Sequence, residues 1–504
     1  MFLRTCKRSS LGPRLFSSSA FRLESAEKVI FLDEKALAAL SLDATTDLNV
    51  PLQDLPGTSS SGEAYTRGSM EADFGRKRIG CVDLPKSLIQ GIADFVDQQP
   101  DKRLVRIDAL RLYESLRSTA RLPPANESSS AQRYQNKRRN KSKSLDQQPS
   151  PADQQQQQQQ MEPHILSYGP RESAAYAAGV LPSTYAAITN VLHEIKKRVP
   201  TFSPTSMLDF GTGPGTAIWA AANVFDDLNK ITGVDLSEDM LRTAEFLQDA
   251  THLKKDIEFK RYLAYDTRQP KPDLVVNAFT LGDISSLALQ KSTVQQLWEQ
   301  TGDTLVLIER GTPVGFSNIA RARQHVLDYD KGQVHVLAPC PHDKPCPLLY
   351  SLQANPEKFW CHFSQRVQRP PFLMKTKHSK FNTEDSKYSY VVLRKGSRPS
   401  ATSMQSMTTN DDTASSSSSA VEEQAYSWPR LIQPPMKKNK HVVMDVCAAS
   451  GTIQRMVIPK SQGKIPYRDA RKSAWGDAFP HGSKNKVVTR MNEGIVDGAE
   501  NGDQ

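Results

Sequence analysis

A glycine-rich turn between a short apolar strand and a helix constrains the fold of this 504-residue chain more than any other feature. The segment Met207-Leu-Asp-Phe210 has the character of a buried strand, and Gly211-Thr-Gly-Pro-Gly215 leads from it into a helical pattern over 216–225. Glycines permit positive φ angles and let the backbone approach a ligand closely. Because the backbone amides of such a turn face outward at a helix N-terminus, the pattern is typical of a ligand-binding turn.

Short apolar runs alternate with helical patterns after this turn. Such alternation predicts an α/β fold with a parallel sheet. The further strands are expected over 231–236, 257–264, 273–278 and 304–309, with helices over 238–251, around 294–297 and over 319–328. A late strand is expected over 388–394, and the runs 442–446 and 455–458 are candidates for another strand pair.

The details of the turn favour S-adenosylmethionine over a dinucleotide. A dinucleotide fingerprint requires glycine at the position of Thr216, whereas Asp209 lies two residues before a Gly-x-Gly-x-Gly run. That arrangement resembles motif I of class I methyltransferases. Asp235 ends the second strand, where a carboxylate can accept hydrogen bonds from both ribose hydroxyls. The sequence therefore predicts a class I Rossmann-like S-adenosylmethionine methyltransferase domain.

Two further cofactor contacts follow from the same architecture. Asp266 comes after the third strand and is expected near the adenine amine, and Asn277 ends the fourth strand, beside the expected methyl group. The alternatives are that Asp266 caps a turn and that Asn277 fixes a loop. The full set of predicted cofactor residues is Asp209, Gly211, Gly213, Gly215, Asp235, Asp266 and Asn277.

The sequence predicts no catalytic residue. Amino-directed methyltransferases carry an Asn/Asp-Pro-Pro-Tyr/Phe loop after the fourth strand, but this chain has Asn277-Ala-Phe-Thr280 there. Cytosine-C5 enzymes use a Pro-Cys nucleophile near that strand, and the Pro-Cys pairs at 339–340 and 345–346 lie well beyond it.

Four of the six cysteines form a candidate metal site. Cys340 and Cys346 lie in a proline-rich loop, Cys361 follows, and Cys447 comes about a hundred residues later. Four thiolates suit a tetrahedral zinc site or a four-iron cluster, and unconnected buried thiols are the alternative, because the spacing matches no standard motif. Cys81 is expected in the core.

Composition sets the domain boundaries. The first 23 residues are rich in Arg, Ser and Leu without acids, as in a mitochondrial presequence, and no apolar run reaches the roughly 18 residues that a membrane span needs. The expected units are a presequence (1–23), a helical N-terminal region (24–121), a low-complexity insertion (122–163), a methyltransferase-like domain with the first three cysteines (164–395), a disordered Ser-rich loop (396–424), a basic C-terminal segment with the fourth cysteine (425–490) and a disordered tail (491–504).

The net charge of +10 is concentrated near the C-terminus. Residues 429–490 contain 13 Lys and Arg against three Asp, an excess that equals that of the whole chain. Such a segment is a candidate nucleic-acid surface, with a solvated basic face as the alternative.

Several motifs together resemble the methyltransferase-like protein 17 family of mitochondrial small-ribosomal-subunit assembly factors and its fungal and bacterial relatives. They lie between Tyr168 and Phe479 and comprise Ala174-Ala-Tyr176, Leu181-Pro-Ser-Thr-Tyr-Ala-Ala187, the glycine turn, Ile308-Glu-Arg-Gly-Thr-Pro313 with Phe316, and the cysteine loop. The low-complexity tracts depart from the family core.

The resemblance implies a function that composition and spacing do not give. It implies a four-iron, four-sulfur cluster on Cys340, Cys346, Cys361 and Cys447, and docking on the immature small subunit and its rRNA rather than proven catalysis. The presequence composition predicts a location in the mitochondrial matrix. Binding of S-adenosylmethionine is compatible with this function, and an rRNA methyltransferase is the alternative.

Overall fold

The computed structural model describes residues 68–118, 168–263, 270–284, 286–377, 380–399 and 416–495. The predicted presequence, the insertion over 122–163 and Asp266 lie outside these residues, as do 24–67 and 496–504. Every described residue belongs to one compact unit. The expected N-terminal, methyltransferase-like and C-terminal units are thus parts of a single body wherever they are described.

Within the described residues, nine strands form a central sheet and five form a second sheet. The central strands are β1 (Cys81–Val82), β2 (Ser206–Phe210), β3 (Lys230–Val234), β4 (Asp256–Lys260), β5 (Leu274–Ala278), β6 (Thr304–Arg310), β7 (Val334–Ala338), β8 (Phe363–Gln368) and β9 (Thr383–Lys395). Those of the second sheet are β10 (Arg430–Leu431), β11 (Met436–Lys437), β12 (His441–Cys447), β13 (Ile453–Pro459) and β14 (Val488–Met491).

Helices connect and cover the strands. They are α1 (Met70–Phe74), α2 (Lys86–Asp97), α3 (Lys102–Ser118), α4 (Pro170–Gly179), α5 (Leu181–Arg198), α6 (Thr216–Val224), α7 (Glu238–Thr251), α8 (Leu287–Gln300), α9 (Pro313–Tyr329), α10 (Pro347–Tyr350), α11 (Pro371–Lys377), α12 (Ser416–Gln424) and α13 (Lys464–Lys472).

The centre of the large sheet has the strand order of a Rossmann-like fold. Its order is β1-β8-β9-β6-β5-β2-β3-β4, with β7 also paired to β9. Strands β4, β3, β2, β5 and β6 are mutually parallel, which corresponds to the order 3-2-1-4-5 of a doubly wound sheet. Strand β9 returns antiparallel to β6. The predicted α/β class is confirmed, and the carboxyl ends of β2 and β3 lie side by side.

Side chains of the parallel strands alternate between two hydrophobic cores. Met207 and Val276 belong to the core beneath the N-terminal helices, whereas Leu208 and Val275 belong to the core beneath α8 and α9. Strands buried on both faces read as continuous apolar runs, which is why the sequence predicted them well.

The basic C-terminal segment folds into the second, antiparallel sheet. Strands β12 and β13 pair from His441 with Pro459 to Cys447 with Ile453, which confirms the expected pair. Val442, Met444 and Ile458 form a small core with Phe479.

A buried charge network joins three parts of the chain. The Lys77 Nζ donates to Glu194 on α5 at 2.6 Å, and Arg430 Nη2 lies 2.7 Å from the other carboxylate oxygen as an ion pair without an aligned hydrogen bond. The Tyr390 hydroxyl also donates to Glu194. Burial alone would favour the neutral carboxyl, but Arg430 and Lys77 hold the pKa of Glu194 well below its usual range.

Three expectations need correction. The loop expected over 396–424 ends in helix α12, where Val421 is buried against Trp428. The tail expected from 491 begins with ordered contacts, because Glu493 forms a salt bridge with Lys344. Cys81 is exposed on the short strand β1 rather than buried.

Candidate functional site

The glycine turn joins the adjacent ends of β2 and β3. The N–H groups of Gly211 and Thr212 donate to the Val234 carbonyl at 2.7 and 3.0 Å. Gly211, Gly213 and Gly215 have φ angles of +76°, +52° and +80°, a region that L side chains rarely adopt. The predicted conformational role of all three glycines therefore agrees with the structure.

The three glycines are required for different reasons. A Cβ on Gly211 would lie 2.1 Å from the Thr280 hydroxyl, and one on Gly215 would lie 3.0 Å from the Trp219 indole. A Cβ on Gly213 would meet nothing within 4 Å. Close packing thus explains Gly211 and Gly215, while a Cβ on Gly213 would enter open space.

Asp235 is held against this turn by two backbone hydrogen bonds. One carboxylate oxygen accepts the Gly213 N–H at 2.8 Å, and the other accepts the Ser237 N–H at 2.8 Å. Burial raises the pKa of Asp235, while these two hydrogen bonds lower it. Each oxygen retains a further lone pair, so the residues fit the ribose of S-adenosylmethionine.

Asp209 and Asn277 are buried instead of facing open space. Asp209 accepts a hydrogen bond from the Thr212 hydroxyl at 2.7 Å, and burial raises the pKa of Asp209 to about 7. The Asn277 side chain donates to the Phe210 carbonyl at 3.0 Å, and its Oδ1 has no partner among the described residues. Both side chains thus stabilise the ends of β2 and β5 beneath the glycine turn.

A cluster of polar residues beside Asp235 was not predicted. The carbonyl of Tyr168 accepts from Ser237 Oγ at 2.7 Å, and Tyr176 stacks edge-on with Tyr168. Burial raises the pKa of Asp283, with Arg310 opposing the shift and Asp235 reinforcing it. The sequence did contain a signal for Arg310, because the charged Glu-Arg pair lies directly at the end of the buried strand β6.

The four predicted cysteines line one cavity, which we call the four-cysteine cavity. The cavity is small, with about 40 Å³ available to the centre of a water-sized molecule. Cys340 and Cys346 come from the loop after β7, Cys361 precedes β8, and Cys447 ends β12. The fold thus brings together residues that are separated by up to 107 positions, as the site prediction requires.

Arginines hold the cysteine loop in place. Arg430 Nε donates to the Pro339 carbonyl at 2.9 Å, and Arg323 Nη2 donates to the His342 carbonyl at 2.7 Å. Arg398 forms a salt bridge with Asp343 at 2.9 Å. The loop is therefore fixed from helix α9, from the segment after β9 and from the second sheet.

The cavity disfavours charge on free thiols. Burial, reinforced by Cys340, raises the pKa of Cys346 to about 11. Burial and the neighbouring cysteines raise the pKa of Cys361 and Cys447 well above the usual value. His342 Nε2 lies 3.3 Å from the Cys447 sulfur, and burial lowers the pKa of His342 to about 3. His342 was missed although it lies inside the cysteine loop.

The described residues contain no group of three or more His, Cys, Asp or Glu side chains placed to hold one metal ion. One feature nevertheless fits an anionic centre. Arg323 is 2% exposed and lines the four-cysteine cavity, and its Nε and Nη1 have no hydrogen-bond partner among the described residues. Thiolates bonded to metal would supply negative charge beside this guanidinium.

Solved structures resemble the chain only weakly. The plantazolicin methyltransferase BpumL aligns with a TM-score of 0.28 and 12% identity over 44% of this chain and 88% of that one. A precorrin-6y C5,15-methyltransferase from Geobacter metallireducens gives 0.27 and 11% over 41% and 87%. Scores at this level carry no argument about function.

No helix in the described part of the chain is long and apolar enough to cross a membrane.

Sequence relatives are more informative. The human ribosome assembly protein METTL17, mitochondrial, is 34% identical over 328 residues, which cover 62% of this chain and 64% of that protein. The Rsm22-cox11 tandem protein 2 of Schizosaccharomyces pombe is 32% identical over 61% of this chain and 43% of its own length. The Saccharomyces cerevisiae ribosome assembly protein RSM22 is 23% identical over 63% and 68%. The alignments thus span less than two thirds of the first two relatives.

The match to a family model is wider than any single motif. Residues 170–480 match the model described as mitochondrial small ribosomal subunit Rsm22, and this range contains the glycine turn, Asp235 and all four cysteines. On that match, the chain belongs to the Rsm22 family.

Proposed function

We propose that this protein is a mitochondrial small-ribosomal-subunit assembly factor that docks on the immature subunit and its rRNA through the basic end of its second sheet. The observation that carries the proposal is the placement of exposed basic residues at one end of that sheet, opposite the four-cysteine cavity. The names of the human and yeast relatives, which are ribosome assembly proteins, support the same partner.

The basic end is built from segments that hydrogen bonds draw together. The Lys438 N–H donates to the His441 carbonyl at 2.9 Å, and the Lys460 N–H donates to the Lys440 carbonyl at 2.8 Å. Arg471 reaches the Lys438 carbonyl with Nη1 at 3.0 Å. These four basic side chains are exposed, which suits contacts with phosphate groups.

Strand β12 links this end to the cysteines. It runs for seven residues from His441 to Cys447. At about 3.3 Å per residue, its ends lie roughly 20 Å apart. Two basic residues of the segment do not contribute to the docking surface, because Arg430 pairs with Glu194 and Arg455 with Asp445. The docking surface therefore contains fewer basic residues than the net charge of the segment suggested.

The proposal includes a four-iron, four-sulfur cluster in the four-cysteine cavity. Bound there, the cluster would supply iron–thiolate bonds that join β12 to the core. Such a cluster bonds each thiolate to a different iron, so the sulfurs need not converge on one atom as they do around zinc. The shared cavity and the unpaired charge of Arg323 support this assignment.

The glycine turn and Asp235 support binding of S-adenosylmethionine, with Asp266 assigned to the adenine amine on sequence alone. We propose binding without methyl transfer, because the Asn277 amide is buried against Phe210 and the loop after β5 has no Pro-Pro-Tyr. The second candidate is an rRNA methyltransferase of the small subunit, which the intact cofactor turn favours. Loss of one specific rRNA methyl group in Asn277→Ala, with assembly intact, would decide for the enzyme.

A salt titration tests the docking surface. Lys438, Lys440 and Lys460 are changed together to Ala, and binding to small-subunit rRNA is measured from low to high salt. We expect weaker binding and a slope of log K against log salt that is smaller by up to about three, since each lost phosphate contact removes about one.

The matched control replaces three exposed lysines of the main domain, Lys254, Lys291 and Lys358, by Ala. This variant loses the same total charge and is expected to keep the slope of the unmodified protein. Equal slopes in the two triple variants would overturn the assigned surface.

Metal analysis tests the cluster. We expect anaerobically purified protein to contain iron and sulfide and to absorb near 400 nm, and Cys447→Ser to lose both signals and bind the subunit more weakly. Cys81→Ser is the control, because Cys81 is an exposed thiol outside the cavity. Stoichiometric zinc without iron would overturn the cluster, and full iron in Cys447→Ser would remove that ligand.

A further inference from the structure

We propose that Arg323 is the charge partner of the anionic metal–thiolate centre in the four-cysteine cavity and favours the loaded state of that centre over the empty one. This inference rests on the proposed function, because it requires that the four cysteines bind metal. It assigns a role to a side chain outside the cysteine set.

The position of Arg323 is unusual for a guanidinium. It comes from the middle of helix α9 and is buried, and among the described residues its one hydrogen bond runs from Nη2 to the His342 carbonyl at 2.7 Å. No salt bridge joins it to a carboxylate among the described residues, and two of its nitrogens lack partners. Burial of an unpaired charge is costly, typically several kcal/mol, unless an anion faces it.

The second arginine of the cavity behaves differently. Arg430 also lines the four-cysteine cavity, but it forms an ion pair with Glu194 at 2.7 Å and donates to two backbone carbonyls. Of these two arginines, Arg323 is thus the one without a carboxylate partner among the described residues. Arg323 acts electrostatically on Cys346, Cys447, His342 and Tyr350.

The consequence depends on whether metal is present. Without metal, no carboxylate of the described residues pairs with the buried Arg323 guanidinium, and two of its nitrogens have no hydrogen-bond partner there. Metal-bound cysteines are thiolates, so loading places net negative charge beside Arg323 and lowers the cost of burying its charge. Arg323 therefore destabilises the empty state and stabilises the loaded one.

A substitution that removes the charge at similar length separates the two states. We expect Arg323→Met to lose iron to a chelator about tenfold faster than the unmodified protein. The metal-free form of the same variant should melt a few degrees higher than metal-free unmodified protein. Arg323→Lys, which keeps the charge, should restore iron retention, and Arg321→Met, at an exposed position of the same helix, should change neither quantity.

The outcomes discriminate between the proposals. Iron retention that is equal in Arg323→Met and unmodified protein would overturn the charge-partner role while leaving the cluster in place. A metal-free Arg323→Met protein that melts lower than the unmodified one would show that Arg323 serves packing only. Absence of iron and sulfide from unmodified protein would instead refute the proposed cluster, and this inference with it.

Discussion

Replacing Glu194 by Gln is expected to destabilise the protein strongly, because one carboxylate balances a group of buried cations. Lys77 and Arg430 contact it directly, and Arg198, also buried, acts on it electrostatically. Burial lowers the pKa of Lys77 to about 8 and that of Arg198 to about 10, so all three cations remain charged at neutral pH. The variant leaves them without their shared anion.

The expected loss is about 3–5 kcal/mol, the usual cost of breaking a buried ion pair from one side. That is a large fraction of the roughly 5–15 kcal/mol that stabilises a typical domain. The measurement is chemical denaturation followed by circular dichroism at pH 7 under reducing, anaerobic conditions. Removing one cation as well, in Lys77→Met with Glu194→Gln, should recover part of the loss, because residues in one network couple.

The control is an ion pair at the surface. Arg366 and Asp385 form a salt bridge at 2.8 Å with both side chains about half exposed or more. Asp385→Asn should cost no more than about 1 kcal/mol. If Glu194→Gln lost no more than this control, the network would be of little energetic consequence and the reasoning would be refuted.

Two further predictions concern the cofactor turn. Gly213→Arg should abolish S-adenosylmethionine binding in calorimetry, while Gly332→Arg, which also has a positive φ and open space at Cβ, should not; unchanged affinity in the first would sink the pocket assignment. Burial raises the pKa of Asp209 to about 7, so the native state binds a proton there that the unfolded chain releases above about pH 4. Stability from this group is present below about pH 4 and is lost as the pH rises through about 7, by at most about 4 kcal/mol. Asp209→Asn should flatten the melting temperature between pH 5 and 8, and an unaltered pH profile would contradict the assignment.

Sequence reasoning predicted the elements whose residues bury apolar side chains at regular spacing. Helix α7 was predicted with its observed bounds because Ser237 caps it, accepting from the Met240 N–H, and two acids follow in its first turn. The strands around the glycine turn were displaced by only a few residues. The register of these strands could not be predicted from the sequence, but their order follows from the known connectivity of this fold class.

Elements with polar residues at buried positions were missed. Strand β8 alternates correctly, but its central inward residue is Gln365, which accepts from Asn190 at 2.7 Å and so hides the apolar pattern. Strand β9 begins five residues earlier than expected, because its first residues are polar and pair with β8. Helix α12 was taken for a disordered loop, since its serines outweigh Val421 in composition.

The residues of the candidate site also fall into those that the sequence identified and those that it did not. The glycines, Asp235 and the cysteines are rare residue types in distinctive spacing, so the sequence identified them. Arg323 sits in an ordinary helical context and acquires its role from distant partners. Partners that lie far apart in sequence are set by tertiary packing, which no local pattern encodes.

The distribution of the cysteines along the chain also fixes an order of events during synthesis. Three of the four cysteines that line the four-cysteine cavity are present once residue 361 has been made, but the fourth arrives with β12, which ends at Cys447. Chains are made from the N-terminus at roughly 5–20 residues per second, so the cavity stays open for several seconds of elongation. A polypeptide cut short before β12 therefore lacks a wall of the cavity however well its Rossmann-like sheet has folded. All four cysteines are therefore present only in a chain that has been synthesised at least through β12.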